Sequence, residues 1–325
     1  MTSPHADRCL QAGSHCPRIK FADRRSAAAL CIIALTLIAP LDADAACTGV
    51  ATIQVLGSGG PDANDARASS GYLLWMDGEA RLLVDAGGGV FLRFGEAKAK
   101  FESLDAIAIT HLHADHVGEL PVMLKSGFFS ERTRSIPIVG PSGGGQFPGM
   151  TEFMKAQFDK KRGAFRYLSG YLDGSGGSVR ADIKEISATA SRPKAAFGNE
   201  HFKLTGIGVK HGPVPALAYI VEAGGKRLAF AGDQNGDNPA FTAAIKDADV
   251  LVMDHAIPEM PDRTSGQLHA RPSEIGMLAA KANVRQLVLS HNMARSLGPL
   301  QDNLALIKQH YSGAIKVAED LMCIE

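Results

Sequence analysis

The sequence Thr-His-Leu-His-Ala-Asp-His-Val-Gly at residues 110–118 decides the fold, because it places three histidines and an aspartate within a few positions of one another. Residues 104–110 before the histidines are mostly apolar and predict a short buried strand, so the histidines lie where a strand ends and the chain turns. Neutral imidazoles and a carboxylate this close together favour a divalent transition metal, with zinc as the first choice.

The spacing within this stretch also predicts two metal ions. Asp115 and His116 are adjacent, so their side chains point in different directions from those of His111 and His113. One tetrahedral ion would not readily accept all four side chains. Two ions need further ligands, which must come from elsewhere in the chain.

Later parts of the sequence supply such residues at the ends of predicted strands. Apolar runs end in, or just before, His111, His211, Asp233 and His291. Strand ends at one edge of a sheet are where α/β proteins gather their sites. The two strand-rich halves, each closing with helices, therefore predict an αββα sandwich with the site along one edge. Asp85, also after a predicted strand, is interpreted as a structural carboxylate that orients a histidine.

Composition limits the classes of protein that fit this sequence. The chain has 325 residues, of which 45% are hydrophobic, and 34 basic residues balance 34 acidic ones. That length predicts one large domain or two closely packed halves. The zero net charge gives no indication of nonspecific nucleic-acid binding.

Residues 1–46 resemble a secretory signal peptide, because basic residues precede an apolar run at 27–41 and small residues at A-x-A spacing follow it. An uncleaved membrane anchor is the alternative. Cleavage would leave a mature domain at 47–325, exported to the periplasm or secreted, with no membrane association. Its two remaining cysteines, Cys47 and Cys323, predict a disulfide in an oxidising compartment, and two free thiols remain the alternative.

With these residues identified, the chain resembles the metallo-β-lactamase superfamily and, more narrowly, its ribonuclease Z and arylsulfatase branch. The motifs that carry the resemblance extend over essentially all of the mature chain: Gly57-Ser-Gly-Gly, Asp85-Ala-Gly-Gly-Gly, Thr110-His-Leu-His-Ala-Asp-His, His211, Ala231-Gly-Asp, His269, Leu289-Ser-His and Ala318-Glu-Asp-Leu.

The resemblance implies the metallo-β-lactamase fold with two zinc ions per chain and no other cofactor. One ion would lie on His111, His113 and His211, and the other on Asp115, His116 and His291, with Asp233 bridging. A glutamate replaces the second histidine in the iron-containing flavo-diiron branch, so His113 argues for zinc. The zinc β-lactamases lack the bridging aspartate, so Asp233 favours a phosphodiesterase, sulfatase or lactonase.

Departures from the ribonuclease Z pattern bear on the substrate. The His-Glu-Ala-Thr motif is replaced by Asp254-His-Ala-Ile, the His-Ser-Thr motif by His269-Ala-Arg, and a long basic arm for transfer RNA is not evident. We therefore expect an exported binuclear zinc hydrolase whose metal-bridged hydroxide attacks a phosphodiester or related ester. A small-molecule ester is the expected substrate, nucleic acid is not an expected partner, and a homodimer is left open.

Two residues are assigned catalytic roles by this resemblance. Asp115 would orient the attacking water or accept its proton, and His269 would protonate the leaving oxygen as a general acid. The role of His255 stays open between support of the site and a surface position. The alternative functions are a lactonase or β-lactam hydrolase of the same fold, and a non-catalytic exported metal-binding protein, which would be expected to have lost ligands.

Overall fold

A computed structural model describes residues 47–325 of the chain, so the predicted signal peptide at 1–46 lies outside the described residues. Within them, two seven-stranded sheets pack face to face between helices. This arrangement confirms the predicted αββα sandwich. None of the helices in this range is both long and apolar enough to cross a lipid bilayer.

The first sheet has the order β14-β1-β2-β3-β4-β5-β6. Its strands are β1 (Thr52–Gly57), β2 (Gly71–Met76), β3 (Glu79–Val84), β4 (Ala106–Ala108), β5 (Ile136–Pro141), β6 (Ala181–Ile186) and β14 (Cys323–Ile324). The second sheet has the order β13-β12-β11-β10-β9-β8-β7. Its strands are β7 (Lys194–Gly198), β8 (Phe202–His211), β9 (Val214–Ala223), β10 (Lys226–Phe230), β11 (Val250–Asp254), β12 (Gln286–Ser290) and β13 (Ala314–Val317).

Short helices cover the outer faces of both sheets. They are α1 (Val90–Glu96), α2 (Ala114–Val117), α3 (Leu120–Gly127), α4 (Met150–Phe158), α5 (Gly170–Asp173), α6 (Pro239–Ala244), α7 (Arg263–Leu268), α8 (Pro272–Lys281), α9 (Ala294–Leu297) and α10 (Leu300–Lys308).

Strand β2 shows why the sequences of the central strands are continuously apolar. Leu73 and Trp75 pack in the layer between the first sheet and its helices, whereas Leu74 and Met76 pack between the two sheets. Successive side chains of a strand point to opposite faces, so a strand buried on both faces must be apolar at every position. All six residues of β2 are buried accordingly.

Parallel pairing directs the ends of several strands to one edge of the sandwich. Strands β3 and β4 are parallel, and so are β10, β11 and β12. Strand β8 is antiparallel to β9, which is antiparallel to β10, so β8 points the same way as β10. The carboxyl ends of these six strands therefore lie along one edge of their sheets, as the sequence predicted.

The sequence of residues 150–165 predicts one continuous helix, but α4 ends at Phe158 in the structure. The Asp159 carboxylate accepts hydrogen bonds from the backbone N–H groups of Lys161 and Arg162, at 2.9 and 2.8 Å. This local turn competes with the helix and stops it, since aspartate favours such side-chain-to-backbone bonds. The predicted helix over residues 91–101 likewise ends early, with α1 stopping at Glu96.

A disulfide joins Cys47 to Cys323, with their Cα atoms 5.8 Å apart, which confirms the predicted pairing. The two cysteines are 276 residues apart in sequence. Cys323 lies in β14, whose residues Cys323 and Ile324 pair with Gln54 and Ile53 of β1. The bridge therefore attaches the beginning of the described chain to the end of the first sheet.

We predict that the double variant Cys47→Ser/Cys323→Ser lowers the free energy of unfolding by about 2–5 kcal/mol, because the bridge closes a very long loop in the unfolded chain. Urea unfolding of the oxidised wild type and the variant would measure the difference. A titration of free thiols in denatured, unreduced mature protein, which begins at Cys47, should find none. Two reactive thiols, or an unchanged unfolding midpoint in the variant, would refute a stabilising bridge.

Candidate metal centre

The seven predicted ligands come together at the edge where the parallel strands end. His111 and the short helix α2 follow β4, His211 ends β8, Asp233 follows β10, and His291 follows β12. The ligand atoms form compact groups in which all atoms lie within 4.8 Å of one another. Those groups are His111 with His113 and His211, His111 with His116 and Asp233, Asp115 with His116 and His291, and His211 with Asp233 and His269.

The first cluster of nitrogen atoms surrounds His113. Its Nδ1 lies 3.1 Å from His111 Nε2 and 3.2 Å from His211 Nε2. Zinc–nitrogen bonds of about 2.0–2.1 Å in a tetrahedron put ligand atoms about 3.3 Å apart. The three nitrogens therefore have the spacing that one zinc ion requires.

The second cluster contains Asp115, His116 and His291. Asp115 Oδ2 lies 3.1 Å from His291 Nε2 and 3.6 Å from His116 Nε2. These separations are again those of ligands that share one ion. Asp115 and His116 therefore form a second group with His291, whereas His113 and His211 group with His111.

Asp233 lies between the two clusters and faces both. Its Oδ1 is 3.4 Å from His116 Nε2, and its Oδ2 is 3.3 Å from His291 Nε2. The same Oδ2 is 3.8 Å from His211 Nε2 and 3.9 Å from His111 Nε2. This is the position that a bridging carboxylate occupies.

An unpaired buried nitrogen tests whether these residues suit a metal. His116 is buried, and its Nε2 has no hydrogen-bond partner in the structure, although burial of an unpaired polar atom is costly. Its Nδ1 lies 2.8 Å from Asp85 Oδ2, so the proton of a neutral ring sits on Nδ1 and the Nε2 lone pair faces the cluster. A cation at that point would supply the missing partner, so the residues fit a metal ion.

Asp85 orients the metal-binding loop, as the sequence analysis proposed. Its carboxylate accepts hydrogen bonds from Thr110 N at 2.7 Å and Thr110 Oγ1 at 2.8 Å, besides the one from His116. Gly87, two residues after Asp85, lets the backbone there approach the metal-binding loop closely, since a Cβ atom on Gly87 would lie 2.0 Å from the carbonyl oxygen of Asp115. The Asp85-Ala-Gly motif thus fixes the direction of His116 without supplying a ligand.

Burial and neighbouring charges shift the pKa values of the histidines that could bind a metal. Burial lowers the pKa of His111 well below its ordinary value, lowers that of His113, and lowers that of His211 to about 4. These rings are therefore neutral near neutral pH, which is the form that binds metal. Burial also opposes the charged form of His116, but the nearby Asp233 and Asp85 carboxylates raise its pKa well above the ordinary value. A bound cation would replace that proton.

His211 has a fixed tautomer as well. Its Nδ1 donates to the carbonyl oxygen of Leu268 at 2.9 Å, which leaves the Nε2 lone pair for the cluster. Leu268 ends α7, a helix that the sequence analysis did not anticipate. The same helix end carries the chain to His269 beside the cluster.

His269 forms a buried pair with Asp254 that sequence reasoning missed. His269 Nδ1 lies 2.9 Å from Asp254 Oδ2 and 3.9 Å from Asp233 Oδ2. Burial raises the pKa of Asp254, while the hydrogen bond from His269 opposes that shift. The bond leaves His269 Nε2 as the nitrogen that can exchange a proton. Asp254 ends β11 at the site edge, and this position was the signal that could have revealed it.

His255, whose role the sequence left open, is fully buried behind the site. Its Nδ1 donates to Asn292 Oδ1 at 2.9 Å, and its Nε2 accepts from Asn303 Nδ2 at 3.1 Å. Burial lowers the pKa of His255, in keeping with this neutral ring. It therefore braces the residue after His291 and does not join the ligand cluster.

Comparison with known proteins identifies the family. Residues 80–292 match the model of the beta-lactamase superfamily domain. The chain belongs to the metallo-β-lactamase superfamily. It is 30% identical over 303 residues to ribonuclease Z of Methanosarcina acetivorans, covering 84% of this chain and 97% of that protein. Ribonuclease Z of Mycobacterium bovis is 28% identical over 290 residues, with 84% and 97% covered. This confirms the resemblance to the ribonuclease Z branch.

Solved structures agree with the fold. The metallo-β-lactamase fold protein YhfI from Bacillus subtilis has a TM-score of 0.63 at 22% identity, covering 85% of this chain and 99% of that one. The short form of human tRNase Z has a TM-score of 0.64 at 20% identity, covering 84% and 98%. Together with the ribonuclease Z relatives, these matches identify the protein as a metal-dependent hydrolase.

The expectation of a small-molecule ester substrate without a nucleic-acid partner was wrong. The relatives described above, which align with this chain over almost their whole length, are named ribonuclease Z. The similar human structure is a tRNase. The expectation relied on zero net charge and on the missing basic arm. Net charge does not say where the charges lie on a surface, so neither observation excludes RNA.

We predict that Asp85→Asn lowers zinc affinity about 10–100-fold, the usual effect of removing a group that orients a ligand. Asn keeps the shape but offers an N–H donor opposite a ring N–H that needs an acceptor. Competition with a chromophoric chelator would measure the affinity. Asp77→Asn is the matched control, because Asp77 is exposed at a turn and shares the left-handed backbone of Asp85, with φ of 51° against 59°. Equal affinities in both variants would remove Asp85 from this role.

Proposed function

We propose that this protein is an exported phosphodiesterase that uses two zinc ions to cleave phosphodiester bonds of RNA. The observation that carries the proposal is the position of Asp233 between two separate ligand clusters. Ribonuclease Z relatives that cover more than four-fifths of the chain support RNA as the substrate class. Two metal ions suit the cleavage of a phosphodiester, because together they can stabilise both the attacking and the leaving oxygen.

In this proposal each zinc ion has three ligands of its own. His111, His113 and His211 would hold the first ion, and Asp115, His116 and His291 would hold the second. Asp233 lies 3.3–3.9 Å from nitrogens of both sets, which supports its assignment as the bridge. The predominance of imidazole over carboxylate favours zinc over magnesium or calcium.

When bound, the two ions supply Lewis acidity and an activated water at neutral pH. The chain's own residues would orient the water and transfer protons. Burial opposes the ionisation of Asp115, but the hydrogen bond from His291 favours it, and the pKa of Asp115 is lowered to about 2. Asp115 therefore stays ionised and is suited to orienting the water and not to retaining its proton.

His269 is assigned to protonate the leaving oxygen. Asp254 Oδ2 accepts a hydrogen bond from its Nδ1 at 2.9 Å, which fixes the ring and leaves Nε2 as the nitrogen that can donate a proton. This pairing of an imidazole with a buried carboxylate is the arrangement that enzymes use to orient a histidine for proton transfer. The leaving group of an RNA cleavage is a ribose oxygen, which is a poor leaving group without a proton.

Export is supported by the disulfide between Cys47 and Cys323, because such bonds persist in oxidising compartments. The proposed location is the periplasm or the medium. N-terminal sequencing of the protein recovered from cell fractions would test it, with an expected start at or near Cys47. Recovery of the full-length chain in the cytosolic fraction would contradict export.

Purified mature protein should contain two zinc ions per chain and cleave a single-stranded RNA oligonucleotide. His116→Ala should lose both the second zinc equivalent and the cleavage, whereas His310→Ala, at an exposed position, should keep both. Elemental analysis and gel electrophoresis of the RNA provide the measurements. Lactone and β-lactam substrates belong in the same panel. Turnover of either of these with intact RNA would overturn the phosphodiesterase proposal.

We predict that His269→Ala lowers RNA cleavage about 10²–10⁴-fold, the usual contribution of a general acid. Cleavage of bis(p-nitrophenyl) phosphate should fall far less, because nitrophenolate leaves without a proton. Asp254→Asn should follow the same pattern with a smaller loss. Zinc content should be unchanged in His269→Ala. Equal losses on both substrates would mean that His269 only positions substrate, and a loss of zinc would make it a ligand.

A further inference from the structure

The C-terminal segment at residues 318–324 runs beside the glycine-containing loop at residues 57–60. Two backbone hydrogen bonds join the segment to β1, from Leu321 N to Val55 O at 2.6 Å and from Val55 N to Met322 O at 2.9 Å. The disulfide then fastens the end of the segment to Cys47. The segment is therefore held along its length, although it forms only the two-residue strand β14.

Asp320 is the centre of the contacts between this segment and the loop. Its carboxylate accepts hydrogen bonds from Ser58 N at 3.0 Å, Ser58 Oγ at 2.8 Å, Ala68 N at 2.9 Å and Arg93 Nε at 3.2 Å. Its side chain is only 13% exposed. Hydrogen bonds to an ionised acceptor are stronger than neutral ones, so Asp320 fixes the loop at residues 57–60 firmly.

That loop in turn contacts the metal ligand His291. The carbonyl oxygen of Ser58 accepts a hydrogen bond from Asn292 N at 2.8 Å. Gly60 packs directly on the imidazole, since a Cβ atom built there would lie 2.6 Å from His291 Cε1. The loop therefore holds both the backbone after His291 and the face of its ring.

His291 needs such support because its backbone is strained. Its φ angle is +52°, in the left-handed region that a residue with a bulky side chain adopts at a cost. Among residues 47–325, no atom forms a hydrogen bond with its buried ring nitrogen Nδ1, so no such bond fixes the ring. The orientation of Nε2 towards Asp115 thus depends on the loop that packs against it.

We propose that Asp320 is a positioning residue for His291, and that the Cys47–Cys323 disulfide anchors the segment through which it acts. The proposal rests on the two-zinc centre proposed above. It gives a role in metal binding to the Ala318-Glu-Asp-Leu motif, which supplies no ligand itself. The same contacts make affinity for the second zinc depend on the C-terminal segment.

The test compares stepwise zinc affinities of metal-depleted mature protein by competition with a chromophoric chelator. Asp320→Asn keeps the size of the side chain but removes its charge and one acceptor oxygen. It should weaken one binding step about 10–100-fold, the range found when a group supporting a metal ligand is removed. That step should be the one that His291→Ala abolishes, and the other step should keep its wild-type affinity.

Glu319→Gln is the matched control, because it makes the same charge change at the neighbouring, exposed position. It should leave both steps unchanged. The double variant Cys47→Ser/Cys323→Ser should weaken the same step as Asp320→Asn, by a smaller factor. Serine replacements avoid reductants, which would themselves bind zinc. If Asp320→Asn does not fold, Ser58→Ala takes its place. This change removes the hydrogen bonds of Oγ to Asp320 and from Arg67 but keeps the bond from Ser58 N to Asp320, and it should shift the same step in the same direction.

Wild-type affinities at both steps in Asp320→Asn, or in Ser58→Ala where that variant is needed, would overturn the inference. Equal weakening of both steps together with a lower melting temperature would also overturn it, because Asp320 would then only stabilise the fold. A wild-type protein that binds fewer than two zinc ions would instead refute the two-zinc centre. The two failures are therefore distinguishable.

Discussion

The buried Asp233 carboxylate, surrounded by imidazoles from four segments of the chain, is the interaction on which the site depends. A carboxylate removed from water is unstable unless positive charge or hydrogen bonds compensate it. Coulombic attraction to His291 and His116 holds the pKa of Asp233 well below its usual range, despite the burial that opposes ionisation. The sandwich can therefore bury this edge only because cationic partners, protonated histidines or metal ions, are available there.

Much of this site could be predicted from the sequence, because the ligands follow strands whose directions are restricted by the fold. The apolar runs before His111, His211 and His291 are long enough to identify the strands, and their parallel direction brings their ends together. The position of Asp254 at the end of β11 could have indicated a site residue, but its pairing with His269 could not be predicted, because it depends on helix α7, which lacks an apolar pattern. Strands β6 and β7 were missed for a related reason. They lie at the sheet edges, where exposed positions interrupt the apolar run.

The substrate was the least predictable property, and the reason is also physical. Metal ligands are specified by residue type and spacing, whereas the choice between a small ester and RNA depends on the surface around the site. Equal numbers of acidic and basic residues can still be distributed unevenly over that surface. Lys160, Lys161 and Arg162, for example, lie together in an exposed turn beyond the end of α4, and a composition count does not reveal such clustering.

The Cys47–Cys323 bridge, together with the pairing of β1 and β14, makes the chain between the two cysteines a closed covalent ring. The residues inside this ring have no free end, so separation of β14 from β1 cannot start by fraying within the ring. Opening inside the ring must therefore begin in an internal loop. Since the two Cα atoms are 5.8 Å apart, a short peptide could replace the bridge. New termini could then be opened in an exposed turn without changing the order of strands around the metal ligands.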